Sequence, residues 1–340
     1  MRFEFDPVPV SGGFRMKDYW VWCGSAIKGE DGRYHLFASR WSKSMPMHPG
    51  WLIASEIVRA SSDHPAGPYQ YEETILSSRS PAYWDGRSVH NPHIVRMDGR
   101  YVLFYMGTTH PLPELEEGEM LLPTDPRCIV ARANKRIGMA TADSITGPWQ
   151  RMDEPILSTR PDAFDSYLVS NPAPCVHEDG SVRMVYKSRP YVGTTYGKMQ
   201  LSSAYAKEAA GDYIRSNKPL FPDSVHLEDP FIWRTSRGYE MIAKDMDGQI
   251  CGEKYGGIHA WSEHGEDWSI TTAGVPVYSR RLRWDDGNEI VMGNLERPFL
   301  LMEDGEPKYM FAATSNGSNG FHDCTDAWNI AIPIKQMIME

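Results

Sequence analysis

A five-fold internal repeat constrains this chain more than any other feature. The segments WVWCGSAIKGEDGRYHLFASRW (20–41), VHNPHIVRMDGRYVLFYMGTT (89–109), VSNPAPCVHEDGSVRMVYKSRP (169–190), HLEDPFIWRTSRGYEMIAKDMDG (226–248) and GNLERPFLLMEDGEPKYMFAATSNG (293–317) share one pattern. Each has a polar opening, an apolar strand, a glycine-containing turn and a second apolar or aromatic strand. Asp-Gly between two such strands is a strong hairpin signal. After each of the first four hairpins comes a further strand pattern, as in AGPYQYEETIL and TGPWQRMDEPIL. Repeats of about four strands that recur along the chain predict propeller blades. The expected fold is therefore all-β: a five-bladed β-propeller of four-stranded antiparallel blades around a central funnel, spanning 1–340 as a single domain. The fifth repeat is short, and the N-terminal FEFDPVPV is the candidate for the strand that closes the ring. Helical periodicity is almost absent; 113–119 and 206–210 read as single turns at most.

Composition narrows the function. The 340 residues carry 35 Lys+Arg against 45 Asp+Glu, a formal net charge of −10. That balance argues against a nucleic-acid partner, which requires clustered cations. No apolar run approaches a membrane span, so no membrane partner is expected. The opening MRFEFDPVPV lacks a basic segment followed by an apolar stretch, which predicts a cytoplasmic protein, although a secreted form with its signal trimmed reads the same. Five scattered cysteines without CxxC spacing predict buried, reduced thiols rather than disulfides or a zinc knuckle. The oligomeric state is not legible.

In a propeller the first residues of every inner strand converge on one funnel. Here they are Cys23-Gly24-Ser25, His90-Asn91-Pro92, Ser170-Asn171-Pro172, Glu228-Asp229-Pro230 and Glu296-Arg297-Pro298. Carboxylates packed around a channel repel and desolvate one another, which raises at least one pKa. Asp18, Asp85, Asp165 and Asp223 stand six residues before four of these openings, and read as turn caps. The ends of the second strands return to the same face and are expected to bring Arg40, Thr108, Lys187, Arg189, Lys244 and Asp245 to the rim. Trp20, Trp22, Trp84 and Trp284 offer flat apolar surfaces beside them. Carboxylates, basic donors and aromatic platforms suit a sugar, whose CH faces stack and whose hydroxyls take paired hydrogen bonds.

These repeats and openings resemble the five-bladed β-propeller glycoside hydrolases, the arabinanase, levansucrase and invertase superfamily, and especially family 43. Family 43 opens its fourth blade with a general-acid Glu in Glu-Gly-Pro before an apolar strand, and Glu228-Asp229-Pro230-Phe231-Ile232-Trp233 is similar. The resemblance implies general-acid duty for Glu228. The family's base is an Asp in Asp-Pro-Ser opening blade one, where this chain has Cys23-Gly24-Ser25. Its second Asp opens blade three, where this chain has Asn171. The expected catalytic set is Glu228 with Glu296 as base or nucleophile, and Asp229 and then Asp18 next in line.

Trp22, Arg40, His90, Asn91, Asn171, Lys187 and Arg297 are the expected substrate contacts. The reading is a glycosidase, exo-acting on short oligosaccharides of plant or algal polysaccharides. Two alternatives stand beside it. Arg40, Lys187, Arg189 and Arg297 could serve a phosphorylase, or pair with a uronic acid; loss of the blade-one Asp fits a propeller that only binds sugar. No cofactor is expected, since phosphate-loop and dinucleotide fingerprints are absent, and no metal site is read. His90 and His93, three apart on a strand, would face opposite sides.

Overall fold

The computed structural model describes residues 1–116 and 118–338. Five four-stranded antiparallel sheets stand in a ring. Their inner strands are Tyr19–Lys28, Ser88–Met97, Leu168–Val176, Leu227–Thr235 and Glu296–Glu303, and we number the blades one to five in that order. The ring closes as the sequence suggests. Arg2–Phe5 is the outermost strand of blade five, antiparallel to Ala327–Ile338, with Arg2 opposite Ile338.

Local chemistry sets the hairpins. Asp98-Gly99 and Asp304-Gly305 join strands paired at Met97–Arg100 and Glu303–Glu306. All four residues have positive φ, between 50° and 78°. A two-residue loop with both φ values positive matches the twist of its strands, and Asp-Gly tolerates it best. The blades then bury their faces against one another. Phe37 and Ile57 of blade one pack on Val89, Ile94, Leu103 and Tyr105 of blade two, all essentially inaccessible. Each such side chain contributes about 1.5–3 kcal/mol of burial.

Two of the upstream acids are structural. Asp165 is fully buried and accepts from Arg160 Nε at 2.9 Å, Tyr186 Oη at 3.0 Å and Arg215 at 3.3 Å. Asp85 repeats the motif in blade two, with Arg79 Nε at 2.5 Å and Tyr105 Oη at 2.8 Å. Asp165→Asn leaves two guanidinium groups short of their counter-charge. It is expected to lower the unfolding free energy in urea by about 2–4 kcal/mol, somewhat under a fully buried pair because both arginines are partly solvated.

Every inner strand carries the same irregularity. Ladder pairing skips residues 23–24, 91–92, 171–172, 229–230 and 297–298. The first residue of each skipped pair has positive φ: Cys23 51°, Asn91 56°, Asn171 52°, Asp229 55° and Arg297 55°. Asn and Asp adopt this conformation readily; for Cys and Arg it costs roughly 1–2 kcal/mol. Because the second residue is outside the ladder, a proline there loses no hydrogen bond. Blade one differs for a reason: Gly24 donates its N–H to Asn329 Oδ1 at 2.8 Å, which a proline could not do.

The described residues also include a single 3-10 turn at Gly320–His322 and two short α-helices, Met47–Ala54 and Pro126–Ala133, in the loops that leave the second strands of blades one and two. Neither lies where single turns were expected, and the described residues of 113–119 and 206–210 form no helix. Eight residues are too few for a helical period to register. The second helix was nevertheless signalled by Asp125, whose carboxylate caps Arg127 N at 2.8 Å, followed by Pro126 in the first turn. No helix among the described residues is long and apolar enough to cross a membrane.

Candidate active site

The bulges turn one residue of each blade inward, and these hydrogen-bond around the axis, four through side chains and Arg297 through its backbone N–H. Cys23 Sγ donates to Asn91 Oδ1 at 2.8 Å, Asn91 Nδ2 to Asn171 Oδ1 at 2.8 Å, and Asn171 Nδ2 to Asp229 Oδ1 at 2.6 Å. Asp229 Oδ2 in turn accepts Arg297 N at 3.1 Å. Beneath this ring His93 stacks on Phe231 at 5.6 Å and meets Phe299 at 5.0 Å. The channel is thereby plugged, and the space above is a blind funnel of about 490 Å³.

The residues one place before the ring point up the funnel wall, and each sits opposite a second-strand partner. His90 pairs with Met106, Ser170 with Lys187, Glu228 with Lys244 and Glu296 with Ala313. Two lysines thus occupy equivalent positions in blades three and four and converge on Glu228. Lys187 Nζ binds Glu228 Oε1, and Lys244 Nζ reaches Glu228 Oε2 at 3.0 Å. Lys244 also meets Asp229 Oδ2 at 3.1 Å and Glu296 Oε2. One oxygen from each of the three carboxyl groups lies within 4.8 Å of the other two. Such a cluster could hold a cation, and the Lys244 ammonium is the cation it holds.

The two glutamates are driven apart in proton affinity. Burial pushes Glu228 up, but Lys187 and Lys244 outweigh it and hold the carboxyl well below its usual range. Burial dominates at Glu296, and Asp229 and Glu228 repel its charge, so that its pKa is pushed up to about 7 against the pull of Lys244. Burial works against the Lys244 charge too, but the three carboxylates raise its pKa well above the ordinary value. Burial also raises the Cys23 thiol, leaving it a protonated donor rather than a nucleophile. His90 is neutral, because burial, Lys135 and Arg297 all disfavour its charge.

The structure brings Glu228, Asp229, Glu296, Trp22, His90, Asn91, Asn171, Lys187 and Arg297 to this funnel. It does not bring Arg40. In blade one the position equivalent to Lys187 is Ser39, opposite Trp22. Arg40 is one residue further, so it faces away and binds Glu56 at 2.7 Å between the rings of Tyr19 and Tyr71. Asp18 lines a separate groove with Phe14 and Trp328. Thr108 is spent on the Leu52 carbonyl at 2.7 Å, and Asp245 accepts backbone N–H groups of its own loop, such as Ile250 N at 2.8 Å. Of the four tryptophans, only Trp22 lines the cavity. Trp84, for example, stacks on Tyr105 at 5.2 Å, over Gly107 and Gly138.

No protein-family model matches this sequence, and no curated protein sequence does. Solved structures do match. A family 117 glycoside hydrolase from the marine bacterium Zobellia galactanivorans superimposes with a TM-score of 0.68 at 16% identity, over 98% of this chain and 90% of its own. An endo-arabinase from Bacteroides thetaiotaomicron gives 0.59 at 13% identity, over 98% of each chain. A family 43 enzyme from Xanthomonas citri, complexed with xylotriose, gives 0.59 at 13%, over 93% of this chain and 88% of its own. The fold is that of the five-bladed glycoside hydrolases.

Within that fold, this propeller's funnel has a wall that the repeat could not reveal. The first helix brings Met47, His48 and Trp51 to the funnel, and the second brings Arg132 with Lys135 just beyond it. Trp51 stacks on His90 at 5.0 Å and hydrogen-bonds His48 Nδ1 at 3.1 Å. Neither helix belongs to the repeated unit, so blade alignment passes over both.

Proposed function

We propose that this protein is a glycosidase, exo-acting on short oligosaccharides, that works through Glu296 as proton donor and Glu228 as the ionised partner. One observation carries the reading: two neighbouring carboxyl groups in a sugar-sized, aromatic-lined funnel have their pKa values pushed in opposite directions. Such a split is how a site assigns an acid and a base at one pH. The electrostatics support the reverse of the roles that the resemblance to family 43 implies. Glu296 would protonate the glycosidic oxygen as its bond to the anomeric carbon breaks.

Glu228 and Glu296 approach within 4.8 Å. That favours direct attack by Glu228 over attack by an interposed water, since water-using pairs stand about 6.5–9.5 Å apart. The glycosyl ester on Glu228 would then be opened by water, whose proton returns to Glu296. Asp229, with both oxygens engaged, positions Lys244 and keeps Glu296 protonated. The buried ring that floors the funnel supports exo action, because a chain end reaches further into such a site than the middle of a chain. Cleavage of a long polymer at internal bonds would count against that mode.

The pH profile is the test of the roles. Glu296 must be protonated, so kcat/KM is expected to stay level from about pH 5 to 7 and to fall tenfold per unit above about 7. No acid limb is expected above pH 5, because Glu228 stays ionised there. Glu296→Gln should lose about 10²- to 10⁴-fold on poor leaving groups. On dinitrophenyl glycosides, whose leaving group needs no proton, its kcat/KM should stay close to that of the unmodified protein and lose the alkaline limb, while kcat falls because the glycosyl ester lacks its base. An alkaline limb unchanged in that variant would remove Glu296 from the acid role.

A further inference from the structure

The funnel's charge is opposite to that of the chain. The protein carries a formal −10, yet seven Lys and Arg side chains face three carboxylates around the cavity. Most of these cations are already engaged. Lys187 and Lys244 hold the carboxylates, Arg280 donates to the Met292 and Gly293 carbonyls, and Arg297 donates to the Pro172 carbonyl at 3.2 Å. The remainder, Arg132, Lys135 and Arg189, are on the side of blades two and three.

None of these three has a carboxylate within 4.0 Å among the described residues. Lys135 is 2% exposed, with its ammonium 4.2 Å above the Trp51 ring and no hydrogen-bond acceptor among the described residues. Arg132 and Arg189 flank the Tyr196 ring at 5.9 and 4.7 Å, and Arg189 makes one hydrogen bond, to the Gly197 carbonyl.

Lys135 lines the funnel with only an aromatic face against its ammonium, which leaves the charge under-compensated inside the protein. Burial and the charges of Lys187, Arg132 and Arg189 all disfavour the Lys135 cation, with only Glu228 in its favour. Packing alone is better served at this position by methionine. We infer that the sugar bound here carries an oxyanion, a carboxylate or sulfate ester, which docks on Arg132, Lys135 and Arg189 beside Glu228. Calling that sugar a substrate rests on the glycosidase reading; the docking itself does not. Planar guanidinium groups offer paired donors that match either anion. A free phosphate acting as nucleophile would instead have to stand where Glu228 already stands between two lysines.

The test is calorimetric titration of the purified protein, and of its Glu228→Gln variant, with paired sugars at low salt. The pairs are glucose with glucuronate, galactose with galacturonate, and galactose with its 6-sulfate; inorganic phosphate is run separately. At least one acidic sugar is expected to bind tenfold or more tightly than its neutral partner, roughly the scale of one charge-assisted contact. Lys135→Met, and separately Arg132→Gln, should remove most of that preference and leave the neutral sugar within about twofold. Equal binding within every pair overturns the inference, as does a preference untouched by both variants. Phosphate binding without any preference for an acidic sugar overturns it in favour of a free anion. Preference without hydrolysis by the unmodified protein would retain this inference and discard the glycosidase reading; hydrolysis without preference would do the reverse.

Discussion

Glu228→Gln is expected to reduce turnover by about 10⁴-fold or more, because the group lost would both attack and leave. The fold should persist, since glutamine keeps the shape and its one amide oxygen still accepts from one of Lys187 and Lys244, which hold the native side chain on both oxygens. Removing the side chain altogether gives a sharper signature. In Glu228→Gly, azide can occupy the vacated space and attack the anomeric carbon, so activity on dinitrophenyl glycosides should recover with azide and yield a glycosyl azide. In Glu296→Gln azide should instead capture the glycosyl ester on Glu228, which lacks its base, and give a glycosyl azide of retained configuration, whereas Glu228→Gly gives the inverted one. A retained glycosyl azide from Glu228→Gly, or an inverted one from the Glu296 variant, would exchange the two roles, back to the assignment the sequence resemblance implies.

Lys244→Met is expected to have the largest effect on stability. Its ammonium touches Glu228, Asp229 and Glu296 while only 1% exposed. Without it, three carboxyl groups within 4.8 Å of one another are left with Lys187 as the only lysine still bound to the cluster. Breaking a buried ion pair costs about 3–5 kcal/mol, and a urea titration at pH 7 should show a loss of that order. The sign with pH follows from linkage. In the variant the Glu296 pKa, already raised in the native protein, is raised further by loss of its one attractive neighbour, while Glu228 keeps Lys187. The Glu296 contribution to stability is present at low pH and is lost as pH rises. The deficit should therefore widen as pH rises above about 7, where Glu296 ionises in the unmodified protein but resists ionisation in the variant. Activity should shift as well: with its one attractive neighbour gone, Glu296 would hold its proton to higher pH, and the alkaline limb would move up.

The blades were legible because their signals are local and repeated. Asp98-Gly99 and Asp304-Gly305 announce hairpins from two residues each, and the ring closure by Arg2–Phe5 follows from one blade being a strand short. The funnel openings were legible for the same reason. Arg40 shows the limit: a strand's period of two makes a one-residue misalignment a reversal of face, and only the ladder shows that Ser39 is the residue equivalent to Lys187. Lys244 was visible as a rim residue, but not as the hub of three carboxylates, since its contacts come from blades four and five at once. Arg132 and Lys135 were invisible because they belong to a loop of blade two that no other blade repeats. The Asp125-Pro126 cap was the one cue that this loop contains a helix.

The most direct measurement is hydrolysis by the purified protein itself. Nitrophenyl glycosides and short oligosaccharides, neutral and acidic, would be offered with and without phosphate, and released reducing sugar or nitrophenol followed. The account predicts release that is independent of phosphate, constant from about pH 5 to 7, and abolished in Glu228→Gln. Sugars that bind and raise the melting temperature but are never cleaved would contradict it, and would make this funnel a receptor rather than an active site.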